Sequence, residues 1–321
     1  MSGSDPLVSI IIPVYNGERT IRACLESLVR QCGPGFEIIV VDDGSVDVTV
    51  ELCRSFPQVR IIEPGRGGPS RARNIGIKAA RGEFIAFTDG DCTADEAWLA
   101  ELVAGFEDDR TAGVGGDQKS PDDETDTGRL IQSFMKTIGF ITDYIKTDAD
   151  FKETPHNPSC CVMYRKSVLE EVGGFDETLF PGEDVDLDAR LIRRGYRLIY
   201  NPRACVSHYR PQTYAAFARM MERYGACQWP LIMKYGFFRK IHYEPPVLML
   251  SALTLLAFIL MVPAAWPIAL TPLAAVFLWF LGRTGSAVGG SRFTLLMLIT
   301  VVSWNWGFFS AAVRGYSVTF K

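Results

Sequence analysis

The sequence predicts an α/β fold: a mainly parallel sheet flanked by helices, then an interfacial helical segment and a membrane-embedded tail. Three observations carry this. Between residues 7 and 89, short runs rich in β-branched residues alternate with helical stretches. Each run ends on polar or acidic residues. From Pro245 to Lys321 there is no Asp or Glu, and only Arg283, Arg292, Arg314 and Lys321 carry charge. The expected divisions are therefore residues 1–212, 213–244 and 245–321.

In chain order, 7-LVSIIIP-13 is continuous and β-branched, as suits a strand covered on both faces. Thr20 to Gln31 follows as a helix, with Ile21, Cys24, Leu25 and Leu28 on one face. The run 36-FEIIVVDDGS-45 is a second buried strand that ends on acids and a turn. Residues 46–56 read as a helix, 58-QVRIIEP-64 as a strand, Pro69 to Ala80 as a helix and 83-EFIAFTD-89 as a strand. Strands alternating with helices at this spacing predict βαβ units. In such sheets ligands gather at the carboxyl ends of the strands. Here those ends read Tyr15-Asn16, Asp42-Asp43-Gly44-Ser45, Glu63 and Asp89-Gly90-Asp91, four ends on one polar rim.

Farther along, Asp117 to Asp126 is acidic and polar, and reads as a solvated loop or a lid. Residues 157–196 combine a strand, a helix, a Gly-Gly turn and a second helix. After them, 197-RLIYNPRACVSH-208 reads as a short strand or hairpin.

The length of 321 residues permits one large domain or two smaller ones, and 48% hydrophobic content excludes a disordered chain. A net charge of -4 without a basic stripe excludes a nucleic-acid binder. The eight cysteines form no C-x-x-C pair and read as reduced thiols. The N-terminal MSGSDPLVSIIIPVYNG has an acid and no basic region, so it reads as a first strand rather than a secretory signal.

In the tail, 246–262 and 267–282 are short against the roughly 20 apolar residues that a spanning helix needs, whereas 293–313 is adequate. Trp266, Trp279, Trp304 and Trp306 suit interfacial anchoring. The uncharged link around Pro263–Pro267 suggests a hairpin, and Arg283 and Arg292 would place the next loop in the cytoplasm. A third span would carry the C-terminus outside, against the preference of Arg314 and Lys321. Two or three spans both remain open, as does a set of buried core helices. Residues 214–246 place Arg219, Arg223, Lys234, Arg239 and Lys240 among aromatics. Such a segment is either a helix lying against anionic headgroups or a plain connector.

Two carboxylates one residue apart, Asp89 and Asp91, end a buried strand. Like charges that close are costly unless something positive lies between them. Such a pair is a natural ligand set for Mg²⁺ or Mn²⁺, usually with phosphates completing the shell. Asp42 and Asp43 can accept hydrogen bonds from a base or ribose, which completes a nucleotide site on paper.

Four segments, 8-VSIIIPVYNGERTIRACLESL-28, 38-IIVVDDGSVDVT-49, 69-PSRARNIGIKAARGEFIAFTDGD-91 and 173-GGFDETLFPGEDVDLDARL-191, together resemble the family 2 inverting glycosyltransferases of GT-A fold. The resemblance spans roughly residues 7–210. It implies that Asp89-x-Asp91 is the DxD motif holding the metal and diphosphate of a sugar nucleotide. Asp91 would then bind the metal, and Asp89 would face the ribose or metal. Pro13, Tyr15 and Asp43, with Asp42 nearby, would frame the base. Asn16 and Gly90 would belong to the same nucleotide-sugar site, with Arg73 and Asn74 near the nucleotide. Glu183-Asp184 matches the family's ED pair, with Asp184 as general base, and His208 would complete the metal shell. His156 and Arg210 are further candidates, for acceptor and diphosphate contact.

The implied cofactor is a divalent cation, Mn²⁺ or Mg²⁺, and the implied donor a UDP- or GDP-linked sugar. A base implies a hydroxyl acceptor, on a lipid-linked or cell-envelope glycan. A polyprenyl phosphate is already anionic and would need none. The implied location is the inner membrane, with the catalytic domain cytoplasmic. One departure stands out. Processive members carry Gln-x-x-Arg-Trp, whereas this chain reads Gln228-Trp229-Pro230, which favours transfer of a single sugar. Alternatives from other classes are a nucleotidyltransferase, disfavoured by Tyr15-Asn16-Gly17-Glu18 where a basic Gly-rich loop belongs, and a non-catalytic nucleotide-binding membrane protein.

Overall fold

Strand runs without polar interruption need cover on both faces, and the sheet in this computed structural model has it. The structure describes residues 7–140, 151–238, 242–262 and 266–317. These divide into two compact units. The first holds the described residues up to 124 and those of 151–210; the second holds 125–140 and the described residues of 211–317.

The first unit begins with β1 (Val8–Val14), α1 (Ile21–Val29), β2 (Phe36–Asp42), α2 (Thr49–Arg54), β3 (Val59–Ile62), α3 (Pro69–Ala79) and β4 (Phe84–Phe87). Strands β3-β2-β1-β4 pair in parallel, in that order. This is the expected βαβ arrangement. Along β1, successive side chains alternate between faces. Val8, Ile10, Ile12 and Val14 pack with Leu25 and Leu28 of α1. Ile11 packs with Ile39, Phe87 and Ala72 of α3. Each fully buried aliphatic side chain contributes roughly 1.5–3 kcal/mol, so one uninterrupted strand anchors both layers.

Beyond β4 the sheet departs from the mainly parallel expectation. There follow β5 (Cys92–Ala94), α4 (Trp98–Ala104) and β6 (Thr111–Lys119). A helix of the second unit, α5 (Asp126–Thr137), comes next in the chain. Then come β7 (Lys152–Glu153), β8 (Val162–Arg165), α6 (Lys166–Val172), α7 (Glu183–Arg193) and β9 (Arg197–His208). The order continues β4-β8-β6-β9-β5, with β7 also on β9. Here β8 is antiparallel to β4 and β6, β9 is parallel to β6, and β5 and β7 are antiparallel to β9. The sheet is therefore mixed. The change of direction enters with β8, which lies between β4 and β6 and is antiparallel to both.

Two local expectations need correction. Residues 117–119 belong to β6, and Gln118 and Glu124 are buried, so the polar stretch is loop only between the end of β6 and Thr125. Residues 197–208 form one long strand, not a short strand or hairpin, with a register irregularity opposite Gly116–Asp117.

The second unit adds α8 (Tyr214–Tyr235), α9 (Glu244–Met261), α10 (Trp266–Thr284) and α11 (Ala287–Arg314) to α5. Helices α8 and α11 touch backbone to backbone. A Cβ on Gly225 would lie 1.9 Å from the Trp304 carbonyl oxygen, and one on Gly307 would lie 1.9 Å from that of Glu222. Small residues at a crossing permit this approach. By length and composition, Ala287–Arg314 is the one described helix able to cross a membrane, with 39% of its most apolar window buried; Pro246–Met261 is shorter. The basic residues Arg239 and Lys240 and the Pro263–Ala265 link lie outside the described residues.

Candidate active site

The loop after β1 is tied to the loop after β2. Asn16 adopts a φ of 50°, a left-handed conformation that asparagine tolerates. Its Oδ1 accepts from the Val46 N–H (3.0 Å), and its own N–H donates to Ser45 Oγ (2.8 Å). Pro13 costs the ladder no bond. Ile11 O accepts from Thr88 N at the end of β4, so Pro13, two residues on and facing the same way, lies past the reach of β4. Asp42 Oδ2 accepts from the N–H groups of Gly44 (3.1 Å) and Ser45 (2.9 Å). Its Oδ1 is buried and receives no hydrogen bond.

Asp43 accepts from the N–H groups of Gly67 (2.7 Å) and Gly68 (2.8 Å) and pairs with Arg66 at 2.5 Å. The Arg66 guanidinium lies 3.4 Å from the centroid of the Tyr15 ring. Asp43 thus folds the loop before α3 back over Tyr15. The sequence reading missed Arg66; its signal is Arg66-Gly67-Gly68 between a strand end and a proline-started helix. Glu63, grouped with the rim from sequence, instead pairs with Arg54 at 2.8 Å on the surface.

The two acids that end β4 face different cationic partners, Arg73 for Asp89 and His208 for Asp91. The buried Arg73 guanidinium donates through Nη2 to Asp89 Oδ1 and through Nη1 to Glu183 Oε1, both at 2.8 Å. One cation from α3 thereby joins the end of β4 to the start of α7. Burial pushes the Glu183 carboxyl up, Asp184 pushes it further, and Arg73 opposes both, leaving it at about 7. Gly182, at φ 104°, turns the chain so that both acids enter the first turn of α7. Gly90 packs over Val14, where a Cβ would meet Val14 Cγ2 at 3.0 Å.

The two acids of the pair differ in access: the Glu183 side chain is 4% exposed and that of Asp184 is 20% exposed. Asp184 accepts from the Val185 N–H (2.8 Å) and the Ser159 N–H (3.3 Å). His156 Nε2 stands 3.8 Å from Asp184 Oδ2, while its Nδ1 is 2.8 Å from Asp188 Oδ2. Asp188, one helical turn after Asp184, also accepts from Tyr164 Oη (2.7 Å) and the Asn157 N–H (2.8 Å). Burial outweighs these donors and raises its carboxyl. The i, i+4 spacing of Asp184 and Asp188 was the available signal for this chain of contacts. Asn74 is turned elsewhere: its amide donates to Phe175 O (2.9 Å) and accepts from Phe175 N (2.8 Å), fixing the turn before α7.

At the far side of the rim, His208 Nε2 lies 3.6 Å from Asp91 Oδ1. Burial disfavours the imidazolium, yet Asp91 overrides it and lifts His208 to about 10. The surroundings push the Asp91 carboxyl up, but His208 more than offsets this and holds it low. Arg210 donates to Gln118 Oε1 at 2.9 Å, and the same amide oxygen lies 3.3 Å from His208 Nδ1. A half-exposed carboxylate facing an imidazole is a donor set that fits a divalent cation.

The model of the family described as "Glycosyl transferase family 2" matches residues 9–173. The chain belongs to glycosyl transferase family 2. The pre-mycofactocin glycosyltransferase of Mycobacterium tuberculosis is 32% identical over 71% of this chain, and the match spans 48% of that relative, about half its length. A dolichyl N-acetyl-α-D-glucosaminyl phosphate 3-β-D-2,3-diacetamido-2,3-dideoxy-β-D-glucuronosyltransferase from Methanococcus voltae is 27% identical over 74% of this chain and 77% of its own length. Among solved structures, the mannosyltransferase PcManGT of Pyrobaculum calidifontis, in complex with GDP-Man and Mn²⁺, superposes with a TM-score of 0.64 and 21% identity. That match covers 98% of this chain and 89% of the other. The likeness establishes the fold expected for family 2.

Proposed function

We propose that this family 2 chain transfers a single sugar from a nucleotide-diphospho-sugar to a hydroxyl group, with inversion and with a divalent cation. One observation carries the reading: Arg73 joins the DxD acid Asp89 to Glu183, so the donor motif and the base motif share one buried cation. Tyr15, Asp42 and Asp43 would receive the base. Asp91 and His208 would hold the cation. When bound, such an ion neutralises charge on the departing diphosphate.

Asp184, the more accessible acid, is positioned to take the proton of the acceptor hydroxyl as its oxygen attacks the anomeric carbon. The bond to the diphosphate breaks on the opposite face, and the diphosphate leaves with the electron pair. Glu183 holds Arg73 and through it Asp89. The name of the Methanococcus voltae relative supports a lipid-linked acceptor, and the apolar helix Ala287–Arg314 supports a membrane anchor. The catalytic unit would lie on the cytoplasmic side of the cell membrane, where the free cysteines stay reduced.

The test is nucleoside diphosphate release by detergent-purified protein, with UDP-, GDP- and dTDP-sugars, Mn²⁺ and lipid extract. Metal-dependent release of one diphosphate is expected. Asp184→Asn should slow it by about 10²–10⁴-fold, and Asp91→Asn should abolish the metal-dependent release. Pyrophosphate in place of diphosphate would instead identify a nucleotidyltransferase, and full activity of Asp184→Asn would indicate a phosphate acceptor.

A further inference from the structure

Two thiols that the transfer reaction does not use stand beside the candidate cation position. Cys92 lies directly opposite His208 in the antiparallel pairing of β5 with β9. Cys160 precedes β8. The donor atoms of Cys92, Cys160 and His208 lie within 4.8 Å of one another. Asp91 Oδ1 is 3.9 Å from Cys92 Sγ and 3.6 Å from His208 Nε2. The neighbouring thiol, Cys161, does not take part: it accepts from Trp98 Nε1 and donates to Ala204 O in the core.

We infer that Cys92, Cys160, His208 and Asp91 form a thiol-containing site for a borderline-soft divalent cation, zinc above all, overlapping the position of the catalytic ion. Zinc takes four ligands at tetrahedral corners, with bonds of about 2.3 Å to sulfur and about 2.0–2.1 Å to nitrogen or oxygen. Such bonds imply ligand–ligand separations of roughly 3.4–3.8 Å. The observed 3.6 Å is in that range and 3.9 Å is just above it; the Cys92–Cys160–His208 set would close by no more than about 1.4 Å, with Asp91, which lies outside that set, swinging in as the fourth ligand. The buried thiols form the floor of the site, and the half-exposed Asp91 leaves an entry from solvent.

Thiolates select zinc over magnesium or manganese, and zinc binds N/O/S sites more tightly than manganese. Binding releases the protons of both thiols, takes His208 as the neutral imidazole and involves no redox step. The two cations therefore compete for His208 and Asp91. This competition rests on the cation position proposed above; the thiol site itself does not.

The test loads metal-stripped full-length protein in detergent with Co²⁺, whose bonds to sulfur give a near-ultraviolet charge-transfer band absent from O/N sites. The band should appear in wild type and in the inactive Asp184→Asn variant, and zinc should abolish it. It should vanish in Cys92→Ser/Cys160→Ser and weaken in each single variant, with far-ultraviolet circular dichroism confirming the fold. Cys32→Ser, which removes the exposed thiol, should leave it intact. A band that survives the double variant, disappears with Cys32, or never forms would overturn the site. A band without zinc inhibition of Mn²⁺-supported turnover would overturn the overlap. Absence of turnover with every donor would count against the transferase reading and leave the cobalt result to decide the site.

Discussion

Arg73→Met should destabilise the protein in a pH-dependent way. The guanidinium and the Glu183 carboxylate are each nearly fully buried, while Asp89 is 28% exposed and able to recruit water. Removing one partner of a buried pair typically costs about 3–5 kcal/mol, because the other charge is stranded. Glu183 has an escape, since its carboxyl already titrates at about 7 rather than near 4.5. A carboxyl raised on folding costs nothing below its unfolded value, and the cost grows as pH rises through the folded value. Without Arg73 the folded value rises further, so the variant keeps losing stability above pH 7 where wild type has levelled off.

At about pH 6 both proteins hold Glu183 protonated, and the variant loses only its hydrogen bonds, about 1–2 kcal/mol. Near pH 8 the difference widens by about 1.4 kcal/mol, the free energy of one pH unit above the wild-type value. Proton uptake thus keeps the total near the bottom of the range for broken buried pairs. Urea unfolding in mild detergent, read by circular dichroism at both pH values, measures it. Equal destabilisation at the two values would show that Glu183 is not the group that Arg73 holds ionised.

Further outcomes are expected elsewhere. His156→Asn keeps a polar atom facing Asp188 but removes the one facing Asp184; kcat should fall about tenfold, or ~1.4 kcal/mol, with donor KM unchanged, and steady-state kinetics decides. Asp43→Ala releases the Gly67 and Gly68 amides and Arg66, so donor KM should rise with little change in kcat. Gly225→Ala or Gly307→Ala gains at most about 1 kcal/mol of helix propensity. Its Cβ would meet a carbonyl oxygen at 1.9 Å, and overpacking at about 1–3 kcal/mol or more should prevail. A lowered midpoint in detergent melting, with no loss for Gly282→Ala, whose Cβ would meet nothing within 4 Å, would show that the clash decides.

The N-terminal half of the sheet was legible because its signals are local. The uninterrupted runs at 8–14 and 36–42 leave no solvent face, and acids at their ends mark the rim. The second half was less so. Residues 197–208 include Asn201 and Pro202, which read as a break, yet a register shift absorbs them within one strand. A bulge depends on the partner strand, and no property of the strand itself announces it. Residues 117–119 looked like loop because their polar side chains gave no apolar pattern, although Gln118 is buried beside Arg210.

The same division applies to the site. Residue types and spacing determined that Asp89 and Asp91 were acids to examine and that the tail is apolar; the resemblance to family 2 added Glu183 and Asp184. Hydrophobic period and strand-end chemistry are properties of neighbours in sequence. Only the tertiary structure decided how those acids are shared out. It placed Arg73 between Asp89 and Glu183, left Asp184 the more open of its pair, set His156 between Asp184 and Asp188, and brought Cys92 and Cys160 to His208. Coulombic and coordination partners act across a few ångströms of space whatever their separation along the chain. Arg73 and Glu183, 110 residues apart, meet only when the sheet folds.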